Sequence, residues 1–371
     1  MVLHVLSDDK FTDYAIKQFQ AEEMQSEMVV IPSGACHSFK RCDKLKIISY
    51  PSPQFTELLT NLGSYSGIVL HGLFWPYCED IINATPNNTK IAWYFWGGEL
   101  YSRPDVEYSF LAPITRLLYN IHRRKNNKRV ATQHIWQLPL ELYKRIDFCL
   151  TGEQEEYEFA KAYTHSSMQF LWYTCYSLED TIGELITYRS SGKNILFCNS
   201  AALETNIFDA SIWLQKPSYR KHMKGRSLIV PLSYGSPWIK NLMLKIGPLL
   251  FKDFIPLIDF LPRNEYNKIM LDCSTLILPY YSPAGQGNII TALWLGMRVY
   301  LSEKSIAFNF FKRIGVEIYS LERDFAKYGC ESMLEEHVQK NKKVLVEMFS
   351  ANHVYGSAKR LIDILEGNNE Q

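Results

Sequence analysis

The chain has 371 residues, of which 47% are hydrophobic, and its 40 Lys and Arg residues are balanced by 39 Asp and Glu residues. This length and hydrophobic share predict about two packed domains and exclude a largely disordered chain. The net charge of +1 excludes the strong overall positive charge typical of nucleic-acid-binding proteins, so anion binding has to rest on a local site.

The first half of the sequence alternates short apolar runs with segments of helical spacing. Runs bounded by Gly, Pro, Ser or Asp predict strands at 1–6, 27–32, 44–50, 67–72, 90–97 and 145–152. FTDYAIKQFQAEEM and PQFTELLTNLG, between these runs, have the apolar spacing of helices. This alternation predicts parallel sheets, whose ligands bind in the loops after the strands.

The second half repeats this alternation, with predicted strands at 193–200, 226–235, 274–281 and 297–303. Residues 177–193 are typical of a connection, and 333–366 predict a helical tail with weak caps at Ser332 and Ser357. The predicted fold class is therefore α/β, with two Rossmann-like domains facing a cleft. We expect boundaries at 1–185 and 186–345, followed by a helical tail at 346–371.

Scattered cysteines and the amino terminus predict a cytosolic protein. The eight cysteines form no CxxC pattern, which favours reduced thiols, and the first residues lack a cleavable signal. The most apolar segment, 243–262, contains charged residues and prolines and predicts a buried segment instead of a membrane span. No Asp-x-Asp, HExxH, Cys/His cluster or GxSxG occurs, so we expect no metal site and no cofactor.

A glycine-rich loop, SPAGQGN, follows the strand predicted at 274–281. Gly285 and Gly287 let the backbone approach a ligand closely, and Asn288 is a candidate N-cap for the next helix. The N–H groups of that first turn would form an anion site. An ordinary capped turn is the alternative interpretation. GxGxxG and GxxxxGK[ST] are both absent here.

Two loops of the first half combine glycine, aromatic residues and a titratable group. HGLFWP (71–76) and WGGELY (96–101) each follow a predicted strand. His71 and Glu99 are the groups that could act there, although single His or Glu residues at strand ends are usually structural. In the second half, the loop NSAALETNIFD (199–209) and Tyr234 are candidates to contact a base or a sugar.

The run RLLYNIHRRKNNKRV (116–130) interleaves leucine and isoleucine with positive charges. A basic amphipathic segment is typical of contact with anionic lipid, and a solvated helix face is the alternative. The residues concerned are Arg116, Arg123, Arg124, Lys125 and Lys128.

Several of these motifs occur together in a recognisable order. In chain order these motifs are HGxFxP at 71–76, WGxELY at 96–101, Pro113 with Arg116, and Asn-Ser at 199–200. They are followed by VPxxY at 230–234, EY at 265–266, GxGN-Ile at 285–289 and the WLGxxV segment. Over residues 1–325 the chain resembles the TDP-N-acetylfucosamine:lipid II N-acetylfucosaminyltransferase family (4-alpha-L-fucosyltransferase family). Ala284 departs from the family pattern, which has Gln before this glycine, and leaves the donor sugar open.

The resemblance implies glycosyltransferase-B architecture and a fucosyltransferase-like hexosyltransferase. Such an enzyme moves a deoxyamino sugar from a dTDP- or UDP-linked donor to a polyprenyl-diphosphate-linked acceptor, with inversion and without metal. It implies peripheral association with the cytoplasmic face of the bacterial inner membrane, in the synthesis of O-antigen or enterobacterial common antigen.

The resemblance also implies site residues. The amino-terminal domain would bind the acceptor and the carboxyl-terminal domain the donor. The donor-binding residues would be Asn199, Ser200, Asn206, Tyr234, Tyr280, Gly285, Gln286, Gly287 and Asn288. Glu99 is the first candidate for the catalytic base, with Asp9 and His71 as rivals. A nucleotide-sugar epimerase or hydrolase and a non-catalytic nucleotide-sugar-binding component remain alternatives.

Overall fold

A computed structural model of the protein describes residues 1–8, 11–21, 23–33, 44–125 and 136–368, without the side chain of Lys125. These residues form two compact units. The first comprises the described residues of Met1–Arg103, Thr132–Ser177 and Phe349–Gln371. The second comprises those of Pro104–Ala131 and Leu178–Met348.

The described strands are β1 (Val2–Ser7), β2 (Ser26–Ile31), β3 (Leu45–Ile47), β4 (Gly67–His71), β5 (Lys90–Tyr94), β6 (Phe148–Thr151), β7 (Gln169–Trp172), β8 (Asn194–Phe197), β9 (Leu228–Pro231), β10 (Phe254–Leu257), β11 (Cys273–Leu278), β12 (Arg298–Leu301) and β13 (Tyr319–Ser320). The described helices are α1 (Thr12–Phe19), α2 (Pro53–Asn61), α3 (Pro76–Ala84), α4 (Gly98–Tyr101), α5 (Pro104–Ser109), α6 (Pro113–Lys125), α7 (Gln154–Thr164), α8 (Leu178–Ile182), α9 (Ile207–Trp213), α10 (Pro217–Arg220), α11 (Pro237–Leu250), α12 (Arg263–Leu271), α13 (Gln286–Trp294), α14 (Ile306–Arg313), α15 (Phe325–Tyr328), α16 (Glu335–Phe349) and α17 (Ala351–Glu366). Short 3-10 turns span Leu62–Ser64, Leu140–Arg145, Gly183–Thr187, Leu203–Thr205 and Lys221–Met223.

In the first unit, the described strands form a seven-stranded parallel sheet in the order β3-β2-β1-β4-β5-β6-β7. Strand β1 is buried along its whole length, because helices cover both faces of the sheet. Leu3 and Val5 pack into one core, whereas Val2 and Leu6 pack into the core on the other face. Helix α17 contributes Leu361 to that second core, so the end of the chain belongs to the first unit.

In the second unit, the described strands form a six-stranded parallel sheet in the order β10-β9-β8-β11-β12-β13. The order in which the strands are added to the sheet reverses between β8 and β11, which are hydrogen-bonded parallel neighbours. A reversal of this kind leaves a crevice beyond the carboxyl ends of the two strands. The loops after β8 and β11 are therefore the expected place of a ligand site.

The predicted α/β fold with two Rossmann-like sheets is confirmed. The ten predicted strands all exist, whereas β7, β10 and β13 were not predicted. The unit boundaries depart from the expected 1–185 and 186–345, because α5 and α6 belong to the second unit and α17 to the first. Residues 177–193 contain helix α8 and a 3-10 turn.

The predicted tail at 333–366 is two helices separated at Ser350. The cap predicted at Ser357 is wrong, since this residue lies inside α17 and its hydroxyl donates to the carbonyl of Val354 at 2.7 Å. Segment 243–262 forms the second half of α11, strand β10 and their connection. The prediction that this segment is buried is wrong, because Leu249 is 83% and Phe260 80% exposed. In the described part of the chain, no helix has the length and apolar character needed to cross a bilayer.

Candidate functional site

The loops after β8 and β11 are joined by a bidentate contact. The main-chain N–H of Asn199 donates to the Tyr280 hydroxyl at 3.0 Å, and that hydroxyl donates to Oδ1 of Asn199. Tyr280 is buried, and Asn199 is half-buried. The contact therefore fixes both loops at the point where the order of the strands reverses.

Gly285 directly precedes α13 and has a φ of +79°. The positive φ favours glycine, and a Cβ atom there would crowd Nδ2 of Asn199 at 3.0 Å and Cδ1 of Leu278 at 3.1 Å. The first main-chain bond inside the helix runs from the N–H of Ile289 to the carbonyl of Gly285, at 2.9 Å. Gly287 and Asn288 belong to the first turn of the helix, before its first i to i−4 hydrogen bond. Their main-chain N–H groups therefore have no carbonyl partner within the helix and can bind an anion.

The predicted N-cap at Asn288 is wrong, because Gly285 occupies the cap position and α13 begins at Gln286. Asn288 lies within the first turn instead. Its Nδ2 donates to the hydroxyl of Tyr266 at 3.3 Å. Gln286 and Gly287 are half-buried beside it. The glycine loop thus starts the helix early enough to bring all three residues of GlnGlyAsn into its first turn.

The loops after β8 and β9 pair with each other beside this helix. Ala201 forms an isolated bridge with Gly235, and the N–H of Ala201 donates to the carbonyl of Tyr234 at 2.9 Å. The Tyr234 side chain is 55% exposed and is available for stacking. Ser200 is buried, and its hydroxyl accepts from the N–H of Ala202 at 3.3 Å.

Asn206 has a different position from the other predicted donor residues. It is buried, and its Oδ1 accepts from the N–H of Ala112 at 2.7 Å. Its Nδ2 donates to the carbonyls of Phe110 and Pro279. These bonds occupy the carboxamide, so Asn206 positions the loop after β11 instead of presenting its side chain to a ligand.

Asp209 was missed by sequence reasoning, although it anchors α6 to the second unit. Its carboxylate accepts from the N–H groups of Ile114 at 2.9 Å and Thr115 at 2.7 Å, and from the Thr115 hydroxyl. A carboxylate at a helix N-terminus also meets the favourable end of the helix dipole. The sequence carries no local signal for this contact, because the partners are about 95 positions apart.

Two further carboxyl groups of the second unit were also missed. Partial burial and then the negative charge of Glu204 raise the pKa of Glu107 to about 7, whereas Arg123 lowers it. Burial also raises the pKa of Glu204, which lies in the loop after β8. The presence of a glutamate in that loop was the available sequence signal.

In the first unit, Glu99 joins the two loops that follow β4 and β5. Its Oε1 accepts from the N–H groups of Leu73 at 3.3 Å and Trp96 at 3.2 Å, and from the indole of Trp93 at 3.1 Å. Its Oε2 is buried and has no hydrogen-bond partner among the described residues. The residue is 1% exposed, and this burial raises the pKa of its carboxyl to about 7 against the lowering effect of the hydrogen bonds.

His71 lies in the core of the first unit. Its Nε2 is 3.1 Å from Nδ1 of His4, and burial lowers the pKa of His71 to about 3. Both imidazoles are therefore neutral at pH 7, because burial also lowers the pKa of His4 well below its ordinary value. Asp9, the third candidate base, lies outside the described residues.

The predicted lipid-contacting cations fall into two groups. Arg116 is half-buried, where it donates to the carbonyls of Tyr108 and Leu111 and lies over the Tyr108 ring. Arg123 and Arg124 are exposed on α6. Lys128 and the side chain of Lys125 lie outside the described part. Among the described residues there is no group of three His, Cys, Asp or Glu side chains arranged for a metal ion.

Comparisons with known proteins identify the fold. No protein-family model and no curated protein matches the chain. Trehalose-6-phosphate synthase OtsA superposes with a TM-score of 0.61 at 9% identity, covering 98% of each chain. A sucrose-phosphate synthase from Thermosynechococcus elongatus gives a TM-score of 0.57 at 10% identity and covers 100% of each chain. A glycosyltransferase from Rickettsia africae gives a TM-score of 0.59 at 10% identity and covers 99% of each chain.

The chain has the GT-B fold. A structure described as trehalose-6-phosphate from E. coli bound with UDP-2-fluoro glucose gives a TM-score of 0.60 at 9% identity and covers 99% of each chain. At these identities the likeness establishes the GT-B architecture alone. The crevice beside β8 and β11 and the loops joined by Glu99 are thus the candidate sites of the two GT-B units.

Proposed function

We propose that the protein is an inverting glycosyltransferase that uses a nucleotide sugar as donor. The observation that carries this proposal is the geometry of the second unit, where Asn199 and Tyr280 fix two loops beside the N-terminal turn of α13. Main-chain N–H groups at such a turn stabilise the negative charge that develops on a leaving diphosphate, without a metal. The GT-B fold supports the same reaction class.

We assign the diphosphate to the first turn of α13, around Gly285, Gln286, Gly287 and Asn288. The exposed ring of Tyr234 would stack on the base or the sugar, and Asn199 and Ser200 would border the ribose or sugar. Tyr280 and Asn206 act on the donor indirectly, because their polar groups hold the surrounding loops.

We propose that the first unit binds the acceptor. Trp96 lies against Phe11 with ring centroids 4.4 Å apart, next to the loops joined by Glu99. Aromatic side chains of this kind offer apolar faces to a saccharide. In the reaction, a base would take the proton of the acceptor hydroxyl while its oxygen attacks the anomeric carbon and the bond to the diphosphate breaks.

Glu99 remains our candidate for this base. A pKa of about 7 suits a general base at neutral pH, and no described group forms a competing hydrogen bond with Oε2. Its 1% exposure requires the surrounding loops to open before the carboxylate reaches an acceptor. His71 is a weaker candidate, because its ring is buried against His4, and Asp9 stays a sequence-based alternative.

The donor sugar and the acceptor are proposed from the family resemblance. The donor would carry a deoxyamino sugar of the N-acetylfucosamine type on dTDP or UDP. The acceptor would be a polyprenyl-diphosphate-linked saccharide of O-antigen or enterobacterial common antigen synthesis, at the cytoplasmic face of the bacterial inner membrane. Helix α6 supports membrane contact, because Leu117 is 59% and Ile121 41% exposed near Arg123 and Arg124.

A transfer assay tests this function. The protein is incubated with dTDP- or UDP-linked deoxyamino sugars, with and without a polyprenyl-diphosphate-linked saccharide, and released nucleoside diphosphate and glycolipid are measured. Product that depends on the acceptor supports the transferase. Equal release from donor alone would indicate a hydrolase, and conversion of the donor sugar without release an epimerase. Donor binding without turnover of any substrate would indicate a non-catalytic component.

A further inference from the structure

A further concave site lies at the amino ends of strands β9 and β10, in the second unit. This cleft of about 740 Å³ is bordered by Leu228, the first residue of β9, and by Asp253, which directly precedes β10. The candidate donor loops instead follow the carboxyl ends of β8, β9 and β11. Because all these strands are parallel, the cleft lies at their amino ends and the donor loops lie at their carboxyl ends, on opposite sides of the same sheet.

The cleft concentrates positive charge. The cations that line it are Arg220, Lys221, Lys224, Arg226 and Lys252. Asp253 is the one carboxylate in the lining, whereas the whole chain carries 40 basic and 39 acidic residues. Positive charge collected in a concave surface attracts anions more strongly than the same charges dispersed over a convex one.

Most of these cations have no internal counter-ion. Arg226 is fixed by an ion pair with Glu331 at 2.8 Å and by a hydrogen bond to the carbonyl of Lys193 at 2.7 Å. In the described part of the chain, no ion pair is formed by Arg220, Lys221, Lys224 or Lys252. Four side chains at this cleft are therefore available to an external anion, beside one arginine that is held in place.

The remaining lining is apolar. Met223, Leu250 and the buried ring of Phe251 contribute to the wall, together with Pro217 and Leu228. At the end of α11, next to Leu250, the side chain of Leu249 is 83% exposed. A ligand that fills this cleft has to offer both negative charge and apolar surface. The volume is in the range of about 300–1,000 Å³ that is typical of small-molecule sites.

We propose that this cleft binds an anionic amphiphile, with its phosphate on Lys221, Lys224 and Arg220 and its first methylene groups on Met223, Leu250 and Phe251. The ligand class is a phosphate ester that carries an acyl or similarly apolar chain. This site is independent of the proposed donor and acceptor sites, because it uses none of their loops.

The test measures binding of short-chain lipids below their micelle concentration to the full chain, by isothermal titration calorimetry. The probes are dihexanoyl phosphatidic acid, the zwitterionic dihexanoyl phosphatidylcholine, which has the same acyl chains but no net charge, and inorganic pyrophosphate. We expect phosphatidic acid to bind at least tenfold more tightly than either of the other two. Pyrophosphate binding that is as tight as that of phosphatidic acid, and that weakens in the variant Lys221→Glu/Lys224→Glu, would overturn the amphiphile proposal, since it would show that the cleft is a site for soluble phosphates.

Two variants make the test specific. In Lys221→Glu/Lys224→Glu, binding of phosphatidic acid should weaken at least tenfold. The matched control Lys312→Glu/Lys340→Glu makes the same change of net charge elsewhere on the second unit and should bind as the wild type does. Gly285→Ala, in the donor loop, should also keep its binding. Equal binding by the two double variants, or loss in Gly285→Ala, contradicts the proposal. Absence of phosphatidic acid binding in the wild type contradicts it as well.

Discussion

The hydroxyl of Tyr280 both accepts a hydrogen bond from the main chain of Asn199, at 3.0 Å, and donates one to its side chain. The two residues are 81 positions apart, and each lies two positions beyond the carboxyl end of a strand in the centre of one sheet. One phenol thus holds together the two loops between which we place the donor.

Replacing Tyr280 by phenylalanine tests this role. Tyr280→Phe keeps the buried ring but leaves the N–H and Oδ1 of Asn199 without their partner, which costs about 1–3 kcal/mol. We expect a loss of unfolding free energy of this order in urea titrations, and weaker binding of nucleotide sugars. Tyr188→Phe removes an exposed phenol of the same unit and should change neither quantity. Unaltered donor binding in Tyr280→Phe would show that the contact does not shape the site.

A comparison of alanine variants at two glycines with similar φ distinguishes general backbone strain from a specific effect on nucleotide binding. Gly285→Ala and Gly315→Ala both place a Cβ at positive φ, +79° and +86°, which costs about 1–3 kcal/mol each. At Gly285 the Cβ atom crowds Asn199 and Leu278, whereas at Gly315 no other described residue lies within 4 Å of the added Cβ atom, apart from the two chain neighbours. We expect both variants to be destabilised and only Gly285→Ala to lose nucleotide binding, measured by calorimetry. Equal affinities in the two variants would remove the glycine loop from the donor site.

Glu99 predicts a specific dependence of stability on pH. Its pKa is about 7 in the folded protein and about 4.5 when unfolded, so the folded state binds more protons between these values. The contribution of Glu99 to the free energy of unfolding is therefore fully present below about pH 4.5. It falls by on the order of 3 kcal/mol as the pH rises toward 7. Glu99→Gln keeps the acceptor oxygen and removes the titration. We expect the unfolding free energy of this variant to fall less steeply than that of the wild type from pH 5 to 7.5.

The same Glu99→Gln variant separates a base from a structural carboxylate. If Glu99 is the base, transfer should fall about 10²- to 10⁴-fold while the fold is kept. A transfer rate within threefold of the wild type would leave Glu99 as the residue that joins the loops after β4 and β5. Circular dichroism and the urea midpoint provide the control for folding.

Helix α6 makes the membrane contact testable. Each cation near an anionic bilayer contributes about 1 kcal/mol, so neutralising Arg123, Arg124, Lys125 and Lys128 to glutamine should weaken partitioning to phosphatidylglycerol vesicles at least tenfold. Co-sedimentation at fixed ionic strength measures the effect. The control exchanges Lys268, Lys312, Lys340 and Lys343 for glutamine and should partition as the wild type does. Unchanged partitioning of the α6 variant would exclude this helix as the contact.

The sequence predicted the strands that consist of continuous apolar residues. Strands such as β1 and β11 are continuous apolar runs because both faces of each sheet are covered. Strand β10 contains Pro256 and lies at the edge of its sheet, where partial exposure and proline hide the pattern. Strands β7 and β13 are also edge strands of four and two residues.

The site was predicted in part. The loops at the carboxyl ends of β4, β5, β8 and β11 follow from strand order, and Glu99, Asn199 and Gly285 lie beyond the ends of β5, β8 and β11. The assignment of α6 to the second unit depends on Asp209 and Asn206, whose partners are distant in sequence. The N-cap was misplaced because positive φ at Gly285 starts α13 before Asn288.

The most direct test of the account is a thermal-shift screen of UDP, dTDP, GDP and their sugars, with and without EDTA. A ligand at a hundredfold excess over its Kd stabilises the folded state by about 2.7 kcal/mol, which is a measurable shift in Tm. We predict that one nucleoside diphosphate raises the Tm equally with and without EDTA, and that Gly285→Ala loses this effect. If none of these nucleotides shifts the Tm, or if the shift disappears with EDTA, the metal-free diphosphate site at α13 is contradicted.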